Sequence, residues 1–323
     1  MARDLAENLL SLAAREQDPD LLIRARESLG STYFFLGRFD EAKTHLVPAT
    51  FLTDSDQQRS HAVPYTQDPG ITARITLAWT LWALGEVEQV EPLALEALAK
   101  ARELDHPFTL VFTLASLSWI YSTLRNAKKT VDFTGEAIAL STKYSFELGL
   151  AWATSSHGWA LAEQGREDGL GTLINGLSAT RVTGANLNNT HTLALLAEIY
   201  LRHNRIDEGL STIDDALKLA VTGGERFRHA ELLRLKGELL LRQSNQPVPA
   251  AEQCLCEALK VAQDQHATML ELRVATSLAK LWKTLHKVDD AIRILQPVYA
   301  RFHEGVVNLE LSEAKTVLDQ LRA

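Results

Sequence analysis

A small side chain recurs along this chain about every forty residues, and no other feature of the sequence restricts the fold as strongly. The small positions are Gly30, Ala78, Ser118, Gly158, Ala197, Gly237 and Ala279, at intervals of 48, 40, 40, 39, 40 and 42 residues. A second small or apolar series follows at Ala49, Ala97, Ala137, Leu177, Ala216, Ala258 and Val298. A fixed period of this length indicates stacked supersecondary units, each packed only on its neighbours.

The residues between the two series predict that each unit is a hairpin of two helices. Small side chains allow two helix backbones to approach, and Tyr33, Tyr121, Tyr200 and Trp282 fill the wider space three residues later. Residues suited to a left-handed helix end separate the two helices at Gly37, Gly85, Gly165 and Asn204. Asp18-Pro19, Asp68-Pro69 and His106-Pro107 mark first turns, where proline is tolerated.

Composition excludes several other classes of protein. The charged fraction of 23% and hydrophobic fraction of 46% are ordinary for a globular protein. A net charge of −8 without a run of basic residues argues against a nucleic-acid partner. Cys254 and Cys256 point about 200° apart on a helix and can neither pair nor chelate together. Neither a signal peptide nor a membrane span is evident, so we expect a cytoplasmic protein with no membrane partner.

The small residue, the tyrosine three positions later, the turn glycine and the second alanine resemble the tetratricopeptide repeat. The resemblance runs from about Leu21 to Phe302 and implies an all-α, right-handed superhelical solenoid of about seven hairpins. Here the period is near 40 rather than 34, which predicts longer helices. The predicted repeats are 18–52, 68–105, 106–144, 146–182, 188–222, 225–265 and 267–303, with an insertion at 53–67. Residues 1–17 read as the second helix of an incomplete leading repeat, and residues 307–323 as a capping helix.

A sharper resemblance rests on five segments: QDPGI from Gln67, ARELDHPFTL from Ala101, GERFRHAELLRLKGELLL from Gly224, LELRVATSLAKLW from Leu270 and PVYARFHEG from Pro297. Together they look like the C-terminal helical region of bacterial signalling proteins in which an adenylate/guanylate cyclase or kinase domain precedes an AAA-like ATPase. The architecture is also similar to the sensor domain of MalT-like transcriptional activators. The resemblance implies a signalling context, with upstream domains of a longer polypeptide as partners.

Catalytic and cofactor-binding motifs were sought along the whole sequence. Phosphate-binding loops of the GxxxxGK[ST] kind, GxSxG, HExxH and zinc-ligand spacings do not occur. The ten histidines are scattered singly. We therefore expect no enzyme activity, no cofactor, no metal site and no catalytic residue.

The tryptophans are the strongest candidates for a binding site. Trp79, Trp119 and Trp159 recur at intervals of 40, each directly after a small position, with Trp82 and Trp152 on the same helix faces. In tetratricopeptide repeats these positions face the concave groove, which also places Phe34 and Phe112 there. Two interpretations remain open: a ligand- or peptide-holding groove, because aromatic residues concentrate at binding hot spots, or simple packing between repeats.

The equivalent positions of the later repeats are charged rather than aromatic. They are Glu198, Arg202, Glu231, Arg234, Glu238, Arg242, Lys280 and Lys283. The inner surface is thus predicted to be aromatic in its front half and charged in its rear half. The polar insertion, Thr53 to Gln67, is either a tolerated surface loop or a lid over the aromatic half.

These features favour a non-catalytic scaffold or sensor module that binds a protein or peptide in its groove. The alternative is a domain that senses a small-molecule effector and controls an attached ATPase, cyclase or transcription-factor domain. A purely structural role in oligomerisation is a third hypothesis.

Overall fold

The computed structural model describes residues 2–52, 67–243, 248–303 and 308–322. Over these ranges the chain forms sixteen α-helices, one 3-10 turn (Val87–Gln89) and no strand. The helices are α1 (Ala2–Glu16), α2 (Pro19–Phe35), α3 (Phe39–Leu52), α4 (Pro69–Leu84), α5 (Val90–Glu103), α6 (Pro107–Thr123), α7 (Ala127–Tyr144), α8 (Glu147–Glu163), α9 (Gly169–Val182), α10 (Asn189–Arg202), α11 (Ile206–Gly223), α12 (His229–Arg242), α13 (Val248–Asp264), α14 (Thr268–Thr284), α15 (Val288–Tyr299) and α16 (Leu309–Arg322). The predicted all-helical repeat fold is confirmed.

The three proline signals begin helices as the sequence predicts. The Asp18 carboxylate accepts hydrogen bonds from the backbone N–H groups of Asp20 and Leu21, at 2.9 and 3.1 Å. Asp68 caps α4 in the same way through the N–H of Ile71, at 2.9 Å. These carboxylates satisfy helix donors that have no intrahelical partner, so α2 and α4 start at fixed residues.

Left-handed residues end the first helices of most repeats. Gly37, Gly85, Gly165 and Asn204 have φ values of 73°, 89°, 76° and 57°, which confirms all four predicted turn positions. Repeat three uses Arg125 at φ 59° where the sequence offers no turn residue. Its backbone N–H still bonds to the Ser122 carbonyl at 3.1 Å, so the helix end forms at the cost of a strained arginine.

The helices pair as successive antiparallel hairpins, and we call α2, α4, α6, α8, α10, α12 and α14 the first helices. The others, apart from α16, are the second helices. The described residues fall into two compact units. One comprises Met1–Trp82 and Glu86–Asn186, and the other comprises Ala83–Gly85 and Leu187–Ala323. Within the first, α2 packs on α3 and α8 on α9, and within the second, α12 packs on α13.

The small positions lie where paired helices approach most closely. A Cβ atom added at Gly158 would lie 2.1 Å from the backbone nitrogen of Leu173. At Gly30 and Gly237 the nearest atoms belong to the side chains of Leu46 and Leu255, at 2.6 and 2.7 Å. The forty-residue series of small residues therefore reflects steric need within each hairpin.

Three first helices are tied to the preceding second helix by the same polar clamp. In each clamp, an aromatic side chain of the first helix donates a hydrogen bond to a glutamate of the preceding second helix. A lysine or arginine that follows the first helix in sequence contacts the aromatic ring or the glutamate. The members are Tyr33 with Glu7 (3.2 Å) and Arg38, Tyr121 with Glu91 (3.1 Å) and Lys129, and Trp282 with Glu252 (2.6 Å) and Lys287. Each glutamate precedes the small residue of its helix by six positions, at Ala13, Ala97 and Ala258. The recurrent aromatic residue therefore has a polar role besides packing.

Helix α16 lies against α14 and α15 in the second unit and buries Leu311, Ala314 and Leu318. This arrangement suits a cap that covers the last apolar face of a repeat array. The repeat boundaries stay predictions. Most of the predicted insertion, residues 53–66, lies outside the described residues. Among the helices of the described ranges, none has both the length and the hydrophobicity that a membrane crossing requires.

Candidate functional site

Aromatic side chains of four successive first helices stack into a continuous column in the first unit. The Phe34 and Trp79 rings stack with centroids 5.3 Å apart, and Trp79 stacks on Trp119 at 5.8 Å. Trp119 meets Trp152 edge-on at 4.9 Å, and Trp152 meets Phe112 at 6.3 Å. We call these five residues the aromatic column. The structure thus brings together five of the seven aromatic residues predicted to share one surface.

Burial of these residues gives direct support to the packing interpretation. The side chains of Phe34, Trp79, Trp119 and Trp152 are between 2% and 8% exposed, and Phe112 is half-buried. Trp82 and Trp159, at 4% and 0%, are buried as well. Helices α4, α6 and α8 are apolar around most of their circumference, as expected of helices enclosed by protein. Binding by these residues stays a prediction.

Two buried indoles in this region have unsatisfied polar atoms. Within the described ranges, the Nε1 atoms of Trp152 and Trp159 have no hydrogen-bond acceptor. The hydroxyl of Ser116, which lies between Phe112 and Trp119 on one face of α6, also has no partner there. A buried donor without an acceptor costs roughly 1–3 kcal/mol. Packing therefore holds these side chains in place, although their unsatisfied polar atoms reduce the stability that the packing provides.

A network of buried ion pairs occupies the first helices of the second unit. Arg234 lies 2.8 Å from Glu231, 3.5 Å from Glu238 and 3.9 Å from Glu198. Its side chain is only 12% exposed. Burial opposes its charge, but Glu231, Glu238 and Glu198 outweigh that effect and raise the pKa of the guanidinium. Four of the predicted charged residues, Glu198, Glu231, Arg234 and Glu238, thus meet in one cluster.

The other predicted charged residues do not join this cluster. Arg202 and Arg242 are exposed near the ends of α10 and α12. Lys280 is exposed on α14 and forms an ion pair with Glu313 of the capping helix. The contacts therefore divide the predicted charged residues into a buried cluster and separate surface cations, and binding by these residues stays a prediction.

Sequence reasoning missed several members of the network. Arg273 contacts Glu231 at 3.5 Å and also binds Glu310 of α16, and in a separate pair Arg301 binds Glu271 at 2.5 Å. The acceptor Glu310 is distant in sequence, so no helical spacing indicates the pair. In contrast to the pair of Arg273 and Glu310, the contact among Glu231, Arg234 and Glu238 could be predicted from the sequence, because their spacing places them on one helix face.

A second missed residue, Glu27, lies in the first unit on the same face of α2 as Phe34. Seven residues separate the two, which is close to two helical turns, so this signal was available in the sequence. The Glu27 carboxylate accepts a hydrogen bond from the Ser31 hydroxyl at 2.7 Å. Burial raises its pKa, and its side chain is still partly exposed.

The second helices also carry a cleft, on the surface of the second unit. It has a volume of about 450 Å³ and is lined by Asp214, Leu217, Lys218, Val221, Thr222 and Lys236. An ion pair of 2.9 Å joins Lys236 to Asp214. Nothing in the sequence pattern singles out this cleft. Elsewhere in the described ranges, histidine, cysteine and acidic side chains form no group of three or more suited to a metal ion.

Comparison with known proteins agrees with the geometry of the hairpins. The model of a tetratricopeptide repeat family matches residues 23–47 and 71–96. These segments contain the hairpin positions Gly30 and Ala78. The chain contains tetratricopeptide repeats. The more specific resemblance to cyclase-linked or MalT-like proteins is not decided by this match.

One curated relative is an uncharacterized protein of Rhizobium meliloti, 20% identical over 280 residues. The alignment covers 86% of this chain but only 27% of that protein's length. The chain therefore spans about a quarter of the length of the curated relative that it matches.

Three solved structures share the fold at low sequence identity. A Rap protein complexed with competence and sporulation factor has a TM-score of 0.60 and 13% identity, covering 94% of this chain and 77% of that one. The apo form of RapI has a TM-score of 0.54 and 12% identity, with coverages of 89% and 98%. A signal-transduction ATPase with a tetratricopeptide repeat sensor from Pyrococcus horikoshii has a TM-score of 0.53 and 12% identity, covering 99% of this chain and 49% of that one.

Proposed function

We propose that this chain is a non-catalytic binding module that holds a protein or peptide on its first helices and acts within a bacterial signalling protein. The observation that carries the proposal is the distribution of residue types. Aromatic residues from four first helices join in one column, and charged residues concentrate on the later first helices. Tryptophan, tyrosine and arginine are the residues most enriched at binding hot spots.

Two further findings support this function. The chain contains tetratricopeptide repeats, and repeat arrays present extended surfaces on which partners bind. A protein of similar fold was solved with competence and sporulation factor bound. The half-buried Phe112 and the exposed Arg242 supply accessible anchors on the first helices. We infer that the buried aromatic column supports the surface of the first helices from inside the protein, while accessible residues such as Phe112 and Arg242 contact the partner.

Selection of binding peptides tests the proposal. Random linear peptides displayed on phage are selected on the purified chain, and the affinity of each enriched peptide is then measured. Phe112→Ala should weaken peptides that bind the first unit, and Arg242→Glu should weaken peptides that bind the second unit, each roughly tenfold or more, as expected for hot-spot residues. The matched controls Leu95→Ala and Lys260→Glu change exposed residues on second helices α5 and α13 and should leave affinity unchanged. Equal losses from controls and first-helix variants would contradict the proposal.

The second candidate function is a sensor for a small-molecule effector that controls an attached domain. The chain spans only part of its relatives, and the Pyrococcus horikoshii protein is a signal-transduction ATPase with a repeat sensor. A thermal-shift screen with a metabolite collection distinguishes this candidate. A metabolite that raises the melting temperature in a saturable way, without any peptide being selected, would favour the sensor.

A further inference from the structure

Glu27 is a carboxylate on the first-helix face of the first unit that forms no ion pair with another described residue, although the charge of Arg24 acts on it from a distance. Within the described part of the chain, it accepts hydrogen bonds from two hydroxyls of its own helix: Ser31 at 2.7 Å and Ser28 at 3.5 Å. Among the described residues, no lysine, arginine or histidine lies within ion-pair distance of it. Arg24, one turn earlier, lowers its pKa less than either serine does, and burial outweighs all three and raises the pKa.

The one charged residue of the neighbouring first helix α4, Arg74, is bonded to Glu96 and to the Gly70 and Thr50 carbonyls, and the residue opposite Glu27 is polar and uncharged. Helices α2 and α4 run side by side with a constant offset of 45 residues. This offset is set by the stacking of Phe34 on Trp79 and by the 3.4 Å contact between the Ser31 and Thr76 hydroxyls. The same offset places Thr72 opposite Glu27. The hydroxyl of Thr72 donates to the Asp68 carbonyl in its own helix, so it does not neutralise the carboxylate.

Two enclosed carboxylates of the second unit have cationic partners, whereas a third, Glu225, is bound by the Thr190 hydroxyl and by the backbone N–H groups of Asn188 and Thr190. Glu231, which is 4% exposed, is bound by Arg234 and Arg273, and Glu271, at 3%, by Arg301. Glu27 is densely surrounded by protein, yet part of its side chain still reaches solvent. Enclosure of a charge without a partner is costly, and a ligand cation would remove that cost. A cationic group is therefore the complement that this position lacks.

We propose that Glu27, with the hydroxyls of Ser31 and Thr76, is the subsite that binds the guanidinium or ammonium group of an arginine or lysine side chain in a bound peptide. The aromatic column starts two helical turns further along α2, at the buried Phe34, and supports this part of the first-helix surface from inside the protein. This inference rests on the proposed function, because it names the chemistry that the first-helix surface selects.

Paired peptide mixtures test the subsite. Two mixtures of short fluorescent peptides are random at every position but one, which is arginine in one mixture and citrulline, its uncharged isostere, in the other. Retention of each mixture by the immobilised chain is compared. A charge-assisted hydrogen bond is worth about 1.5–3 kcal/mol, so the arginine mixture should be retained roughly tenfold or more better. Equal retention of both mixtures would overturn the inference and leave the proposed function standing, whereas no retention of either would count against both.

Variants then assign the preference to Glu27. Glu27→Gln keeps the shape of the side chain and should abolish the preference for arginine. Glu103→Gln, at an exposed position of α5, makes the same change in net charge and should preserve it. Glu27→Lys should reverse the selectivity and favour a glutamate mixture over a glutamine mixture, with circular dichroism confirming the fold. A preference that survives Glu27→Gln, or that Glu103→Gln also removes, would contradict the assignment.

Discussion

At the scale of single residues, Gly158 shows how little space separates the two helices of a hairpin. A methyl group there would meet the backbone of Leu173, which cannot move as a side chain can. Gly171, on the facing helix α9, has no atom within 4 Å of an added Cβ. The two glycines therefore form a matched pair in which only one is required by packing.

We expect Gly158→Ala to destabilise the protein by at least about 1–3 kcal/mol, because overpacking against backbone forces the helices apart. Gly171→Ala should be neutral or stabilise by up to about 1 kcal/mol, since alanine is the better helix former. Urea denaturation of both variants gives the free energies of unfolding. Similar effects at the two positions would show that the contact between α8 and α9 is not as close as described.

The recurrent tryptophans allow a second test at this scale. Trp159 is fully buried, so Trp159→Ala should cost about 3–5 kcal/mol of stability. Trp79→Ala and Trp119→Ala should also lower the melting temperature. In the wild-type protein, acrylamide should quench the fluorescence of these buried tryptophans poorly. Variants with unchanged melting temperatures and strongly quenched tryptophans would instead indicate an open groove lined by these rings.

At the scale of helices, the polar clamps explain why certain repeats carry a donor aromatic residue. Trp282 and Lys287 both donate to Glu252, at 2.6 and 3.1 Å, and thereby hold the pKa of that carboxyl below its ordinary value. The hydrogen bond from the indole contributes most to this shift. The clamp connects α13 to α14 within the second unit, so its strength should depend on the ionisation of Glu252.

This clamp makes a signed prediction about pH. A carboxylate with a lowered pKa in the folded state stabilises that state above its unfolded pKa, and the contribution is lost as pH falls through the folded pKa. Glu252→Gln should therefore reduce the free energy of unfolding most near pH 7 and least below about pH 3.5. Urea denaturation at both pH values measures the difference. A gap between the wild type and the variant that widens in acid would contradict this account.

Helix ends show how far sequence could predict these elements. Proline after aspartate fixed the starts of α2 and α4, and glycine or asparagine marked four left-handed ends, because each residue type has a local conformational preference. Arg125 adopts the same left-handed conformation without such a preference. The helix still ends there with a hydrogen bond from the Asn126 N–H to the Tyr121 carbonyl at 2.8 Å, which the residue types alone do not predict.

At the scale of the whole molecule, the period of small residues was sufficient to predict an all-helical repeat fold. The period was not sufficient to predict which side chains of the first helices are buried and which are exposed. Helical spacing correctly grouped Trp79, Trp119 and Trp152, but their exposure depends on what covers them, which is a tertiary property. Glu27 was overlooked for the opposite reason, because a lone acidic residue at helical spacing resembles an ordinary solvated one.

Hydrogen–deuterium exchange with a selected peptide tests the central claim, that partners bind on the first helices, most directly. Amide exchange is measured for the free chain and for the chain saturated with peptide. The account predicts slower exchange in α2, α4, α6 and α8, or in α10, α12 and α14, with the exposed turns of the second helices unchanged. Slower exchange confined to second helices, for example at the cleft of Leu217 and Val221 on α11, would contradict it.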